Sequence, residues 1–339
     1  MKLQQEYENT KCTTECITES TAKNTFTPSD DSFDKFVKAA VTNDLDTCKE
    51  IFSTHHITKK QIIHGFNIFN HTVLNGHLEI VKWMCDTFDI TREDIISIYS
   101  ICDAAEQGHL ELCKWLYSTF NLSAEHLTIL NNCTFTNTAQ NGHLEVLKWM
   151  YSITNLQKED IEKRFLRGIA GSNRLEICKW FASLFEPSKT EIYDALFYAS
   201  FSGHLDVCKW LYETYKITKN NIVVKSIDWA LMNGHFEVCK WLHSTFGLTR
   251  EDIESKIGHM IYNIFTRNHI QILNWFYSAF DLTTKDINID KILFEIASEG
   301  YIEILQWLYS KGVLTKEMII KYRILEIATE DNHSEVCEW

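Results

Sequence analysis

Proline is almost absent from this chain: only Pro28 and Pro187 occur in 339 residues, so no repeating element can open on proline. Positive charge is short as well, with 33 Lys and Arg against 46 Asp and Glu, a formal net charge of −13. Counterion release from a phosphate backbone needs clustered cations, so this balance argues against nucleic-acid binding, and it keeps a long apolar-cored chain soluble. No apolar stretch reaches the roughly 18 residues of a membrane span, and Met1-Lys2-Leu3-Gln4-Gln5-Glu6 turns polar at once, unlike a secretory signal. Also missing are the motifs GxxxxGK(S/T), GxGxxG, HExxH and GxSxG, so nothing points to phosphate, dinucleotide or zinc chemistry or to a serine nucleophile. The expectation is a non-enzymatic chain with no cofactor, no nucleic-acid partner and no membrane partner.

What is present instead is a period. Trp83, Trp115, Trp149, Trp180, Trp210, Trp241, Trp275, Trp307 and Trp339 recur every 30 to 34 residues, each closing a variant of the phrase GHLEVCKW. Self-similarity at that spacing marks stacked helical units rather than one globular core. The first position of the phrase holds Asn43, Gly76, Gly108, Gly142, Asn173, Gly203, Gly234, Asn268, Gly300 and Asn332. Gly and Asn tolerate positive φ, so this column predicts a left-handed cap between two helices. Seven residues earlier stand Phe36, Phe69, Ile101, Phe135, Leu166, Leu196, Ile227, Ile261, Leu293 and Leu325, a column of buried anchors on a first helix.

After the turn an acid column, with Glu79, Glu111 and Glu145 in it, precedes a Lys column by three residues, which places paired charges on the outside of a second helix. The Trp column follows. Wedged between neighbouring units, each indole would remove roughly 150–250 Å² from water, or about 4–6 kcal/mol gross.

Six of the 11 cysteines, Cys48, Cys113, Cys178, Cys208, Cys239 and Cys337, share a column that Val81, Leu147, Leu273 and Leu305 fill elsewhere. That interchange marks a small buried hydrophobe a full repeat from its equivalents, too far for a disulfide, and free thiols fit a reducing cytosol. Cys12 and Cys16 lack the further ligands a zinc site needs. His77, His109, His143, His204, His235, His269 and His333 directly follow the turn residue, where a ring nitrogen can bond backbone groups at the start of the second helix. His55 and His56 are adjacent and would diverge on a helix, which disfavours a metal site.

Ala104-Ala105-Glu106-Gln107-Gly108-His109-Leu110-Glu111-Leu112-Cys113-Lys114-Trp115-Leu116 carries the pattern best, and it resembles the ankyrin repeat. The resemblance covers about residues 32 to 339, after a flexible polar N-terminal tail over residues 1–31. Two family features are missing. The usual Thr-Pro-Leu-His opening is replaced, as by Tyr99-Ser100-Ile101-Cys102, and the Gly-Ala-Asp hairpin gives way to Phe88-Asp89-Ile90-Thr91-Arg92-Glu93-Asp94-Ile95 and Phe246-Gly247-Leu248-Thr249-Arg250-Glu251-Asp252-Ile253. Thr followed three residues later by an acid is a helix N-cap, so short helices are expected where the family has β-fingers. The expected fold is an all-α ankyrin-like solenoid of about nine and a half repeats. This divergent style resembles ankyrin-type repeats abundant in large DNA viruses of amoebae, which would place the chain in a host cytoplasm.

The resemblance implies a monomeric scaffold that binds a partner protein. In such arrays the end of the first helix contributes to a concave groove, which here points to Glu106, Gln107, Gln140, Asn141, Phe201, Ser202, Met232, Asn233, Thr266 and Arg267. Phe201 and Met232 stand out as apolar where solvent is expected, and neighbouring repeats would set them side by side. Viral ankyrin proteins also suggest a substrate-recognition adaptor of a host ubiquitin ligase, although residues 1–31 lack the apolar helices of an F-box-like segment. The last repeat stops at Trp339, halfway through its second helix, so the sequence reads as an incomplete final repeat.

Overall fold

The computed structural model describes residues 31–65, 67–97, 99–128, 133–161 and 164–339. Cys12, Cys16 and the expected tail up to residue 30 lie outside them. The described residues form helices and turns with no strand. They fall into two compact units, one ending at Asp94 and the other running from Ile95 to Trp339.

Helices come in pairs around the turn column. The first unit holds α1 (Asp31–Val41) with α2 (Leu45–Thr54) and α3 (Ile68–Leu74) with α4 (Leu78–Thr87), and the short α5 (Arg92–Ser97) follows at the division. In the second unit α6 (Ser100–Glu106) pairs with α7 (Leu110–Thr119), and after α8 (Glu125–Thr128) come α9 (Cys133–Asn141) with α10 (Leu144–Thr154) and α11 (Phe165–Gly171) with α12 (Leu175–Leu184). Next are α13 (Lys189–Phe201) with α14 (Leu205–Tyr215), α15 (Asn221–Met232) with α16 (Phe236–Phe246), the short α17 (Arg250–Ile253), and α18 (Ile257–Thr266) with α19 (Ile270–Ala279). The unit ends with α20 (Leu293–Ser298) and α21 (Ile302–Ser310), α22 (Lys316–Lys321), and α23 (Ile324–Glu330) with α24 (Ser334–Glu338). First helices pack on first helices, as α11, α13 and α15 do.

Every residue of the turn column has positive φ, from +54° at Asn268 to +95° at Gly142. At Gly203 the turn closes when its N–H donates to Ser200 O (3.2 Å) and the next N–H, of His204, donates to Ala199 O (2.8 Å). These bonds satisfy carbonyls that the helix end would leave without partners. Nine of the ten anchors are at most 3% exposed, but Leu325 is 56% exposed and Ile324, at 2%, is buried beside it. The cysteine column is buried and unpaired at Cys48, Cys113, Cys178, Cys208 and Cys239, and burial pushes the Cys48, Cys178 and Cys208 thiols up to about 12. They pack as small hydrophobes.

The expectation of fully buried indoles is corrected. Trp83, Trp115, Trp149, Trp180, Trp210, Trp241 and Trp275 are half-buried, Trp307 is buried and Trp339 is 44% exposed. The indoles sit on the second-helix layer, where most of them meet edge-on an aromatic two residues after the preceding Trp position, Trp115 and Trp210 excepted because Cys85 and Ala182 stand there. Tyr117 thus meets Trp149 (5.7 Å), Tyr151 meets Trp180 (5.9 Å), Tyr212 meets Trp241 (6.0 Å) and Tyr277 meets Trp307 (5.3 Å). Rings therefore share the cover that a single deep wedge would have supplied, and the gross burial per indole falls below the sequence expectation.

Short helices do replace the β-fingers. The Thr249 side chain and Asp252 form a reciprocal capping box, as Thr283 and Asp286 do. A cation from the preceding box then binds each acid: Lys59 reaches Asp94, Lys158 reaches Glu191 (3.4 Å), Lys219 reaches Asp252 (2.9 Å) and Arg250 reaches Asp286 (2.6 Å). All four cations also donate to a backbone carbonyl just before the box, Lys59 to Asp89 O, Lys158 to Glu186 O, Lys219 to Gly247 O and Arg250 to Asp281 O. The sequence pattern shows each cap but not this tie between caps. On the second helices the expected i,i+3 pairs form at Glu79–Lys82, Glu111–Lys114, Glu145–Lys148, Glu176–Lys179 and Glu237–Lys240.

Candidate interaction surface

The groove residues expected from sequence all lie at first-helix C-termini of the second unit: Glu106 ends α6, Gln140 and Asn141 end α9, Phe201 ends α13, Met232 ends α15 and Thr266 ends α18. Gln107, Ser202, Asn233 and Arg267 are the C-caps beside them. They occur once per repeat along the unit and do not converge on one point.

Much of their polar capacity is used by the fold. The carbonyls of Gln140, Phe201 and Met232 accept from Arg174 Nε (2.7 Å), His235 Nε2 (2.9 Å) and His269 Nε2 (3.2 Å) of the next repeat. His77 on Val41 O, His204 on Gly171 O and His333 on Ser298 O repeat the bond, and His143 bonds the Glu106 backbone. This corrects the sequence reading: the ring reaches back to the preceding repeat rather than to the start of its own helix. A carbonyl only accepts, so Nε2 carries a proton in each of these bonds, and burial holds His204, His235 and His269 below the usual imidazole range. Asn141 Nδ2 donates to Glu106 O (2.8 Å), Asn233 Nδ2 to Trp229 O (2.9 Å) and Thr266 Oγ1 to Tyr262 O (3.0 Å), so these three side chains serve helix ends. Burial, opposed by a hydrogen bond from Asn137 and helped by the Asp103 charge, pushes Glu106 up to about 7.

The apolar members behave differently. Phe201 packs on Trp229 (5.4 Å between ring centroids), and Trp229 also meets Phe197 (6.3 Å). Phe197 meets Tyr198 edge-on (5.2 Å), and the Arg167 guanidinium lies over the Tyr198 ring (4.9 Å). All five side chains are half-buried. The adjoining repeat adds Asp228, 6% exposed, which faces Lys256 (3.4 Å) and His259 (3.5 Å). Beyond it Tyr262 donates to Glu295 (2.8 Å) and the Phe294 side chain is 65% exposed. Trp229 is thus a ring neighbour of Phe201 that the sequence reading, which set Met232 beside it, does not name.

Sequence reasoning missed Phe197, Tyr198, Trp229 and Tyr262. Their signal is the one tryptophan outside the column: Trp229 stands five residues before its turn Gly234, as Tyr198 stands five before Gly203. Helical spacing puts positions five and two before the turn on the same exposed face. That face gathers aromatic rings with a cation stacked on them, an arrangement that can clamp an apolar side chain and leave polar rims to fix orientation. Among the described residues no helix is long and apolar enough to cross a membrane.

Part of this patch, from Phe197 to Trp229, lies in a segment that matches a known family model. Residues 196–243 are ankyrin repeats, matching the model described as ankyrin repeats (many copies). No curated protein matches the chain.

Proposed function

We propose that this chain is a non-enzymatic scaffold that holds a partner protein against the first-helix face of residues 164–298. The observation that carries the reading is the contact of Phe201 with Trp229, two large rings from adjacent repeats held half-exposed on a face where solvent-tolerant residues would suffice. Hot spots of protein interfaces are rich in Trp, Tyr and Arg set in such clusters. Arg167, Tyr198, Phe197, Phe201 and Trp229 supply all three types on one surface. Ankyrin repeats at residues 196–243 agree with a binding role. The rest of the expected array, about residues 32 to 339, is its framework; of the groove positions, Ser202, Met232 and Asn233 end the two helices that bear the contact, Thr266 and Arg267 end the next first helix, and Glu106, Gln107, Gln140 and Asn141 lie on earlier repeats.

Affinity purification with mass spectrometry tests the proposal, comparing the intact chain with F201S/M232S and with W229S. Loss of the same proteins from both variants, with helicity and melting midpoint kept, is the expected result. An unchanged set of partners removes the assignment.

A further inference from the structure

On the second helices of the second unit the position two residues after each column Trp holds a ring at Tyr117, Tyr151, Tyr212, His243, Tyr277 and Tyr309 but not at Ala182, while the position five after it lacks a ring at Thr154 and Gly312. In the complete rungs three rings close on one another. Tyr212 meets Trp241 (6.0 Å) and Phe246 (5.5 Å), which meet each other (6.0 Å). His243, Trp275 and Phe280 repeat the triad at 5.5, 5.0 and 6.1 Å, and Phe52, Trp83 and Phe88 repeat it in the first unit at 5.7, 5.3 and 6.0 Å. The rung contacts in these triads lie near perpendicular, with interplanar angles of 73° to 87°.

Trp210 and Tyr215 form the same receiving pair (6.0 Å, 80°), but the position that supplies the third ring is Ala182. A wide-open pocket of about 480 Å³ lies beside Ala182, with Leu184, Phe185, Pro187, Trp210 and Tyr215 on its apolar side and Lys179, Ser183, Glu186 and Thr214 on its polar side. A cavity of roughly 150 Å³ lined by apolar side chains is large enough for benzene. Leu184 is 37% exposed, so apolar surface at this gap is left to water.

We propose that this pocket binds a tyrosine or phenylalanine side chain presented by a segment of a partner protein. The occupant is defined by the molecule's own copies of the site: an aromatic ring placed edge-on to Trp210 and Tyr215, as Tyr212 is to Trp241 and Phe246. The open mouth admits a side chain from outside, where the other rungs are filled from within. Lys179, held 2.7 Å from Glu176, places a cation at the wall, and a ring face attracts cations while an aliphatic group does not. This site lies on the second helices and is independent of the first-helix surface proposed above.

The test titrates the full chain with p-cresol, with its saturated analogue 4-methylcyclohexanol, and with the blocked tripeptide acetyl-Gly-Tyr-Gly-amide, following the Trp210 indole N–H by NMR. Saturable shifts from p-cresol and from the tripeptide, with at least tenfold weaker binding of 4-methylcyclohexanol, are expected. A182Y supplies the ring internally, so it should abolish both responses and raise the melting midpoint by about 2–4 °C. Y212A should open a second p-cresol site beside Trp241, which keeps the proposal testable if A182Y does not fold. No response at Trp210, an equal response in A182Y, equal binding of the saturated analogue, or no new site in Y212A overturns the proposal. Binding of p-cresol with exclusion of the tripeptide overturns the protein partner in favour of a free aromatic molecule.

Discussion

His235 Nε2 lies 2.9 Å from the carbonyl oxygen of Phe201, the last residue of the first helix one repeat earlier. The same bond recurs wherever a ring follows the turn at His77, His204, His269 and His333, and Arg174 makes it from a His position. One side chain per repeat thus fixes how a helix pair seats on the one before, because an α-helix leaves its last carbonyls without partners. His235→Leu keeps the volume and removes the donor. It should lower stability by about 0.5–1.5 kcal/mol, read as a lower urea midpoint with unchanged m-value.

Gly203 is tested next. Its φ is +81°, and a Cβ built there would come within 2.5 Å of His235 Nδ1. G203A therefore meets both backbone strain and the ring, and should cost about 1–3 kcal/mol, measured by urea unfolding. G203N should cost less, because Asn43 and Asn173 hold φ of +62° and +58° in the same column while His77 and His204 still make their bonds.

Stability should depend on pH in two opposed ways between about 4.5 and 7. Burial lowers the pKa of His143, His204, His235 and His269 below 6.5, so below that pH the unfolded chain binds more protons and stability falls. Glu106 is raised from 4.5 to about 7, so its contribution is fully present below 4.5 and is lost as pH rises through 7. E106Q removes the second effect. Melting midpoints from pH 5 to 8 should show E106Q more stable than the parent at pH 8, and falling more steeply toward pH 5.

Arg250 grips both oxygens of Asp286, at 2.6 Å and 3.2 Å, and this hydrogen bonding holds the carboxyl down to about 2. Its folded value lies below the unfolded 3.8, so the contribution is present above pH 3.8 and is lost as pH falls toward 2. R250A should lower stability modestly at pH 7 and move the midpoint of acid unfolding to higher pH, the difference from the parent vanishing as pH falls toward 2, as circular dichroism would record.

What was legible in the sequence was what each repeat fixes within itself. Asn43 and Gly203 differ in side chain but share a need for positive φ, so that column named the turn directly. Phe36 and Leu196 occupy a core slot that tolerates any large apolar group, and Cys208 trades with Leu147 because both are merely small and buried. Contacts between repeats were harder to read. His235 was assigned to its own helix start because its partner, Phe201 O, lies 34 residues back and no local pattern encodes that register. Trp241 looked like a deep wedge because the sequence does not show that Tyr212 and Phe246 share its cover. Trp229 escaped notice for the opposite reason: columns reward repetition, and a binding residue is one that departs from it.

The central claim is that a partner docks on the Trp229 face. Site-specific photo-crosslinking tests it directly, with p-benzoylphenylalanine placed at Tyr198 or Tyr262 on that face and at Lys82 on a second helix of the first unit as the control. The account predicts one shared partner adduct from Tyr198 and Tyr262, lost when F201S/M232S is added, and none from Lys82. Adducts from Lys82 alone, or adducts at Tyr198 and Tyr262 that survive F201S/M232S, would contradict it.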